Sequence, residues 1–172
     1  ACKAAFECDA LALNAKGYNI YTMMNPIDPT FAGGAVKDAD ISYRDLLLVD
    51  IDRSGVTSEP ATEDDVLAAR ALATSIRDYT YGKGWPDPIA VMSGNGYHLY
   101  YVLSDVGNDS ASAELVKSVL RELAAKFNNE IVSVDTSVHN AARITKVIGT
   151  LMRKGMPSES RPYRVAEVCD EL

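Results

Sequence analysis

Two aspartates, Asp50 and Asp52, close a hydrophobic run, Leu46-Leu47-Leu48-Val49-Asp50-Ile51-Asp52. A strand of Leu and Val is expected to be buried, and carboxylates are rarely buried unless something pairs with them. Residues i and i+2 of a strand share a face, so both carboxylates project together, roughly 7 Å apart along the backbone. At a separation of about 6 Å and an effective dielectric of about 20, the two charges repel by roughly 3 kcal/mol. A bound divalent cation is the simplest offset. The plainer alternative is a strand that ends in a solvated acidic turn, helped by Arg53-Ser54-Gly55.

Two further groups follow in order. Ser93-Gly94-Asn95-Gly96-Tyr97-His98 places small residues at a turn and then feeds a histidine into a strand. Glycines allow close backbone approach, and exposed amides with a serine hydroxyl can cradle a phosphate, with His98 donating to a phosphate oxygen. The plainer alternative is a hairpin turn at Asn95-Gly96 with His98 as an ordinary sheet residue. Next comes Val134-Asp135, followed by Arg143, Lys146, Gly149 and Lys154. Asp135 is a candidate third carboxylate, and the bases are candidates for a triphosphate or a nucleic-acid backbone. Otherwise Asp135 caps a turn with Thr136.

The elements that must hold these groups can be read from periodicity. A helix is expected up to about Gly17, then a loose strand over Tyr18–Met24 stopped by Asn25-Pro26. Thr62 is the expected N-cap of a helix with Glu63, Asp64 and Asp65 in its first turn and Val66, Ala69, Ala73 and Ile76 on its buried face. Strands are expected at Ile89–Met92 and Tyr97–Leu103, and a helix from Asp109/Ser110 to about Phe127. Further strands are expected at Ile131–Val134, at Ile144–Ile148 and near Tyr163–Val168. From residue 46 the order is strand, helix, strand, strand, helix, strand, the β-α-β-β-α-β split unit of ferredoxin-like and RNA-recognition-type α+β folds. Leu46 and Leu48 share the aspartates' face and also need burial, so a small N-terminal α/β cover is expected to pack there. The chain divides into that cover (about 1–45), the core (about 46–154) and a C-terminal extension (155–172) of a single domain, 1–172.

Composition fits this scheme. The apolar share of 47% and charged share of 24% in 172 residues are those of one ordinary globular domain. No apolar run approaches the length of a membrane span, and no signal-peptide pattern is visible. The net charge of -7 argues against nucleic acid only if charge is evenly spread. It is not: acids crowd from Asp38 to Asp65, and bases crowd into Arg143, Lys146, Arg153, Lys154, Arg161 and Arg164. Such a run is either a phosphate-holding surface or a solvated face. Cys2, Cys8 and Cys169 form no C-x-x-C pair, and His98 and His139 stand at no zinc-finger spacing from them. An odd cysteine count fits reduced cytoplasmic thiols.

The three groups together resemble the archaeo-eukaryotic primase superfamily, in particular its phage and plasmid primase-polymerase branch. The family's D-h-D strand end reads here as Asp50-Ile51-Asp52. Its S-G-x-G-x-H turn reads as Ser93 to His98, and its later h-D as Val134-Asp135 with Arg143 beyond. The segment from Ala141 to Lys154 is also similar to that branch, and the resemblance spans about Tyr18 to Lys154. The zinc module of many cellular primases has no counterpart among these motifs.

The resemblance implies template-directed nucleotidyl transfer on single-stranded DNA. Asp50, Asp52 and Asp135 would be the catalytic carboxylates, binding two Mg²⁺ or Mn²⁺ ions. Ser93, Gly94, Asn95, Gly96, His98, Arg143 and Lys154 would grip the nucleoside triphosphate. It also implies a cytoplasmic setting in a bacterial, archaeal or phage-infected cell, with a helicase domain or replication protein as a further partner. The alternatives are a repair-type gap-filling polymerase of the same superfamily, a palm-type nucleotide cyclase, and a non-catalytic replication-initiation or single-strand-binding module.

Overall fold

A computed structural model describes residues 2–55 and 58–172, without the side chains of Cys2 and Asp105. The expected Cys2 thiol thus lies outside the described residues; Cys8 and Cys169 are free thiols.

The fold is mixed α+β. Its centre is a five-stranded antiparallel sheet built from β2 (Tyr43–Arg53), β3 (Ile89–Met92), β4 (Tyr97–Gly107), β5 (Val132–Val134) and β9 (Glu167–Cys169), in the spatial order β5-β2-β4-β3-β9. Two helices, α2 (Glu63–Tyr81) and α3 (Ser110–Phe127), connect these strands. Thr62 starts α2 through a capping box: its hydroxyl accepts from Asp65 N–H at 3.1 Å, and the Asp65 carboxylate accepts from Thr62 N–H at 2.9 Å. Asp109 caps α3 by accepting from Ser112 N–H at 2.7 Å.

Strand alternation gives the sheet two different faces. Leu47, Val49 and Ile51 point to one side and are almost wholly buried. They form the core with Leu99 and Tyr101 of β4 and the α2 stripe of Val66, Ala69, Leu72, Ala73 and Ile76. Thr80 on α2 bonds the Tyr101 hydroxyl at 2.8 Å, and Tyr79 meets Phe127 edge-on at 5.5 Å to join the helices. Leu46, Leu48, Asp50 and Asp52 point the other way, with His98 and Tyr100 directly opposite Asp50 and Leu48.

That second face is covered, as expected from Leu48, which is 2% exposed. The cover is not the N-terminal segment alone, however. Helix α1 (Cys2–Ala15) and the short strand β1 (Tyr21–Met23) are joined by β6 (Ile144–Lys146), which pairs antiparallel with β1, and by the ribbon of β7 (Leu151–Met152) and β8 (Arg164–Val165). Asparagine amides, which offer a donor and an acceptor together, bind the two parts. Asn14 bridges Leu151 in both directions, and Asn19 does the same to Arg153. Asn25 donates to Ala141 O while accepting from the amides of Asp45 and Leu46.

Two expected strands are therefore corrected. Tyr18–Met24 shortens to three residues paired with β6, and Tyr163–Val168 breaks at the fully buried Ala166 into β8 and β9. The break exists because Ala166 bonds the backbones of Thr150 and Gly149, turning the chain from the ribbon to the sheet edge.

Among the described residues, no helix is long and apolar enough to cross a membrane.

Candidate active site

Between the sheet and its cover lies a cavity of about 420 Å³. Asp50, Asp52, Ser93, Asn95, His98, Arg143 and Lys154 all line it. Seven positions drawn from four separate stretches of the chain thus meet in one place. Lys146, a base of the third group, lines it too, as do Asn19, Tyr21, Thr145 and Arg153, which the three motifs did not nominate.

Register explains the central pairing. Asp50 stands directly opposite His98 across β2 and β4, so their side chains share a face. His98 Nε2 approaches Asp50 Oδ1 to 3.4 Å, the separation of an ion pair but without hydrogen-bond alignment, since Oδ1 is buried and accepts no hydrogen bond. Burial works against the Asp50 carboxylate, but His98, Arg143 and Lys154 outweigh it and hold it below the ordinary range. Burial likewise opposes a charged imidazole, yet the Asp50 and Asp52 carboxylates raise His98 above its ordinary value.

Asp52 is the opposite case. Burial, reinforced by the adjacent Asp50, pushes it up to about 6. A pair of carboxylates of which one resists ionisation is a site that lacks positive charge. Hard oxygen donors and the unbonded Asp50 Oδ1 suit a divalent cation of the Mg²⁺ or Mn²⁺ kind. No group of three or more carboxylate, histidine or cysteine side chains is assembled for a metal among the described residues.

The reason is Asp135. Its backbone N–H donates to Asp50 O at 2.8 Å, which continues the β2–β5 register and sets it beside Asp50. Its exposed carboxylate, however, accepts from Ser137 N–H at 2.7 Å within its own turn and does not line the cavity. From there it acts on Asp52 only through its charge.

The Ser93–Gly96 turn is buried and packed against the aspartate strand. A Cβ on Gly96 would run into Ile51 O and sit 2.5 Å from Asp52 Oδ1, so only glycine lets the turn lie there. Gly94, at φ +106°, adopts the left-handed region, with Met152 of the cover against it. The turn's amides do not point into the cavity as an open cradle. Ser93 N–H bonds Gly96 O, Gly96 N–H bonds Ser93 Oγ, and Gly94 N–H bonds Met92 Sδ. Asn95 accepts from Ala61 N–H at 2.9 Å and braces the approach to α2. From this turn and the strand after it, Ser93, Asn95 and His98 line the cavity.

The cover supplies the positive wall. Arg143 donates to Ser137 O at 2.9 Å, but its Nε is buried and makes no hydrogen bond; neither does the buried Nη1 of Arg153. Lys146 is 2% exposed, donates to Leu151 O at 3.1 Å and lies 5.7 Å from the Tyr21 ring centre. Burial, with Arg153 nearby, drops it to about 8. Buried charged atoms without partners are costly. Of the five buried side-chain nitrogen or oxygen atoms that lack a hydrogen-bond partner among the described residues, three, on Asp50, Arg143 and Arg153, belong to residues of this cavity. Carboxylates on one wall and guanidiniums on the other suit a ligand that carries both anionic oxygens and a cation.

The basic run divides. Arg161 bonds Pro60 O at 2.7 Å and pairs with Glu59 and Asp65, and Arg164 bonds Ala61 O at 2.8 Å and pairs with Glu63. These two clamp the segment before α2 and do not line the cavity.

No family model matches the sequence, and no curated protein matches it. Solved structures do. The polymerase domain of Mycobacterium tuberculosis Ligase D, in complex with DNA, matches with a TM-score of 0.52 and 19% identity over 86% of this chain and 52% of that one. The AEP domain of the cyanophage S-2L primase-polymerase matches with a TM-score of 0.52 and 20% identity, over 98% of this chain and 69% of that one. The catalytic domain of primase RepB', in complex with initiator DNA, gives 0.52 and 15% identity over 97% and 63%. The chain spans about half the length of the Ligase D polymerase chain. At these identities the likeness is one of fold.

Proposed function

From the fold of the archaeo-eukaryotic primase superfamily, which this chain has and its three motifs resemble, we propose that it is a DNA-dependent primase or polymerase domain. It would join nucleotides on a single-stranded DNA template in phage or plasmid replication. One observation carries the proposal: Asp50, Asp52 and His98 line a single cavity with Arg143, Arg153 and Lys154, and three buried atoms of its charged side chains lack hydrogen-bond partners. The strand order β5-β2-β4-β3, with α2 and α3 on one face, supports a ferredoxin-like core to which β9 is added.

Asp50 and Asp52 would hold Mg²⁺ or Mn²⁺, with Asp135 as third ligand if its carboxylate leaves its turn. Bound there, the ions would neutralise the triphosphate and lower the pKa of the attacking 3′-hydroxyl. The protein's own groups do the rest. Arg143, Arg153 and Lys154 would bind the triphosphate oxygens, and their charge would count most as charge builds on the leaving pyrophosphate. His98 Nε2–H and the Ser93 hydroxyl would donate to the same oxygens from the sheet side. Gly96 keeps this turn close enough to the aspartates for one triphosphate to touch both.

The test is an assay with labelled nucleotides, Mg²⁺ or Mn²⁺ and unprimed single-stranded DNA. Dinucleotides and longer products are expected, and either Asp50→Ala or Asp52→Ala should cut incorporation by roughly a thousandfold or more with the fold intact. Incorporation undiminished in both variants would sink the assignment. Products only from a primed or gapped template would favour the repair-type polymerase.

A further inference from the structure

His98 is held from behind as well as in front. Its Nδ1 lies 2.8 Å from the Tyr100 hydroxyl, on the same strand and face, and that hydroxyl is hydrogen-bonded to Thr145 Oγ1 on β6. The chain Thr145–Tyr100–His98–Asp50 runs from the cover to the aspartate pair. Tyr100 is 6% exposed and His98 7%, so water does not substitute easily for either partner.

The proton positions follow from the ends of the chain. Nε2 faces a carboxylate oxygen at 3.4 Å, so it must carry the hydrogen. In the neutral ring Nδ1 is then an acceptor, and Tyr100 must donate to it. The Tyr100 oxygen, having used its hydrogen, accepts in turn from the Thr145 hydroxyl. Burial pushes the Tyr100 hydroxyl up to about 12, with Thr145 lowering it and Asp50 raising it, so it keeps its hydrogen at neutral pH. A phenylalanine at 100 would leave Nδ1 buried and unbonded. The ring could then relieve itself only by turning Nε2 away from the cavity.

We propose that Tyr100 and Thr145 are positioning residues that lock the His98 ring with Nε2–H directed into the cavity, tying the sheet to the arm that carries Arg143. That Nε2–H serves an incoming triphosphate rests on the function proposed above; the locked ring does not. Thr145 lies two residues from Arg143 on the segment leading into and along β6, so the same bond sets that arm's distance from the histidine.

The chain contains only two histidines, which makes the ring directly observable. The full chain labelled with ¹⁵N-imidazole gives signals from His98 and His139 alone, assigned with His139→Gln. At a pH where the ring is neutral, the His98 Nδ1 resonance should show the upfield displacement of a bonded imine nitrogen. Tyr100→Phe should move it downfield to the position of an unbonded one. Thr145→Val should move it partway, and Thr145→Ser should restore it.

In the synthesis assay, Tyr100→Phe should raise the nucleotide KM about tenfold with a smaller change in kcat, the scale on which partners of a ligand-binding histidine act. Thr145→Ser should again restore it. An Nδ1 resonance that is unbonded in the parent protein, or unmoved by Tyr100→Phe and Thr145→Val, overturns the relay. If Tyr100→Phe does not fold, the Thr145→Val and Thr145→Ser pair decides it. Failure of the parent chain to make any product would remove the proposed function but leave the resonance shifts to stand or fall separately.

Discussion

One strand, β2, does opposite work on its two faces. The positions that point to the helices, Leu47, Val49 and Ile51, are 3%, 0% and 0% exposed and belong to the hydrophobic core. The positions that point to the cover begin in the same way, with Leu48 buried beside Tyr100, and then become Asp50 and Asp52 at the cavity. The helix face gains stability from burying carbon. The cover face gives some up, because Asp52 is pushed up to about 6 by burial and by Asp50. If the cover face does the proposed chemistry, variants on the two faces of this strand should separate stability from activity.

The largest expected break in stability is Ile51→Ala. Ile51 is wholly buried, so removing its side chain should cost about 2–5 kcal/mol, read as a lower denaturant midpoint at unchanged m-value. Nucleotide incorporation per folded molecule should stay within a few-fold of the parent. Loss of activity with little loss of stability would mean that the two faces are not separable.

The difference between the faces also decides what was readable from sequence. Helix α2 and its Thr62 cap, β3 and α3 come from local signals (a capping residue, a repeating stripe, a Gly/Pro boundary), and the structure places them at the expected residues. The D-h-D pair and the Ser93–His98 turn were visible because β2 and β4 are long enough to show alternation, although β4 runs four residues past Leu103. The cover was expected only as an N-terminal segment, and the share of it that β6 and the β7–β8 ribbon supply was not visible. It is held by three-residue strands more than a hundred residues apart and by Asn14, Asn19 and Asn25, and neither leaves a periodic trace. Lys146 was read as a candidate base after Asp135, but Arg153 was seen only as a member of a basic run, and nothing local distinguishes it from Arg161 and Arg164, which are occupied by Glu59, Asp65 and Glu63. Asp135 was read either as a third carboxylate or as the cap of a turn with Thr136, and the structure has a turn, closed on Ser137 N–H.

A smaller and opposite effect is expected on the cover face. Asp52 has an ordinary value of 3.8 and is raised to about 6 on folding, so the folded chain takes up a proton in that interval. The sign follows: the stability tied to this proton is complete below about 4 and is lost as pH rises through about 6. Asp50, held low by His98 against its burial, works in the other direction, losing its contribution as pH falls below the ordinary carboxylate value towards its own lowered one. At neutral pH without metal, Asp52→Asn should therefore stabilise the chain by about 1–3 kcal/mol. Its melting temperature should also lose most of the rise that Mn²⁺ gives the parent. A destabilisation comparable to that of Ile51→Ala would place Asp52 among the structural residues and remove its contrast with the helix face.

The finest comparison lies within the basic run. Arg153 and Arg164 stand close in sequence, and both bear on the segments around the cavity, but their guanidiniums have different company. Arg153 has a buried Nη1 without a partner and lines the cavity. Arg164 donates to Ala61 O at 2.8 Å and to Glu63 at 3.2 Å, and Glu63 is 71% exposed. Solvent screening makes the Arg164–Glu63 pair worth little, so Arg164→Gln should cost about 1–3 kcal/mol, mainly through the bond to Ala61 O, and leave the nucleotide KM alone. Arg153→Gln should leave the melting temperature nearly unchanged or raise it, because it removes a buried donor that nothing in the protein accepts. It should raise the nucleotide KM roughly tenfold, because the ligand loses one charge-assisted contact. The two substitutions delete the same group from the same run, so any difference between them measures what the cavity does with an arginine that the fold does not use.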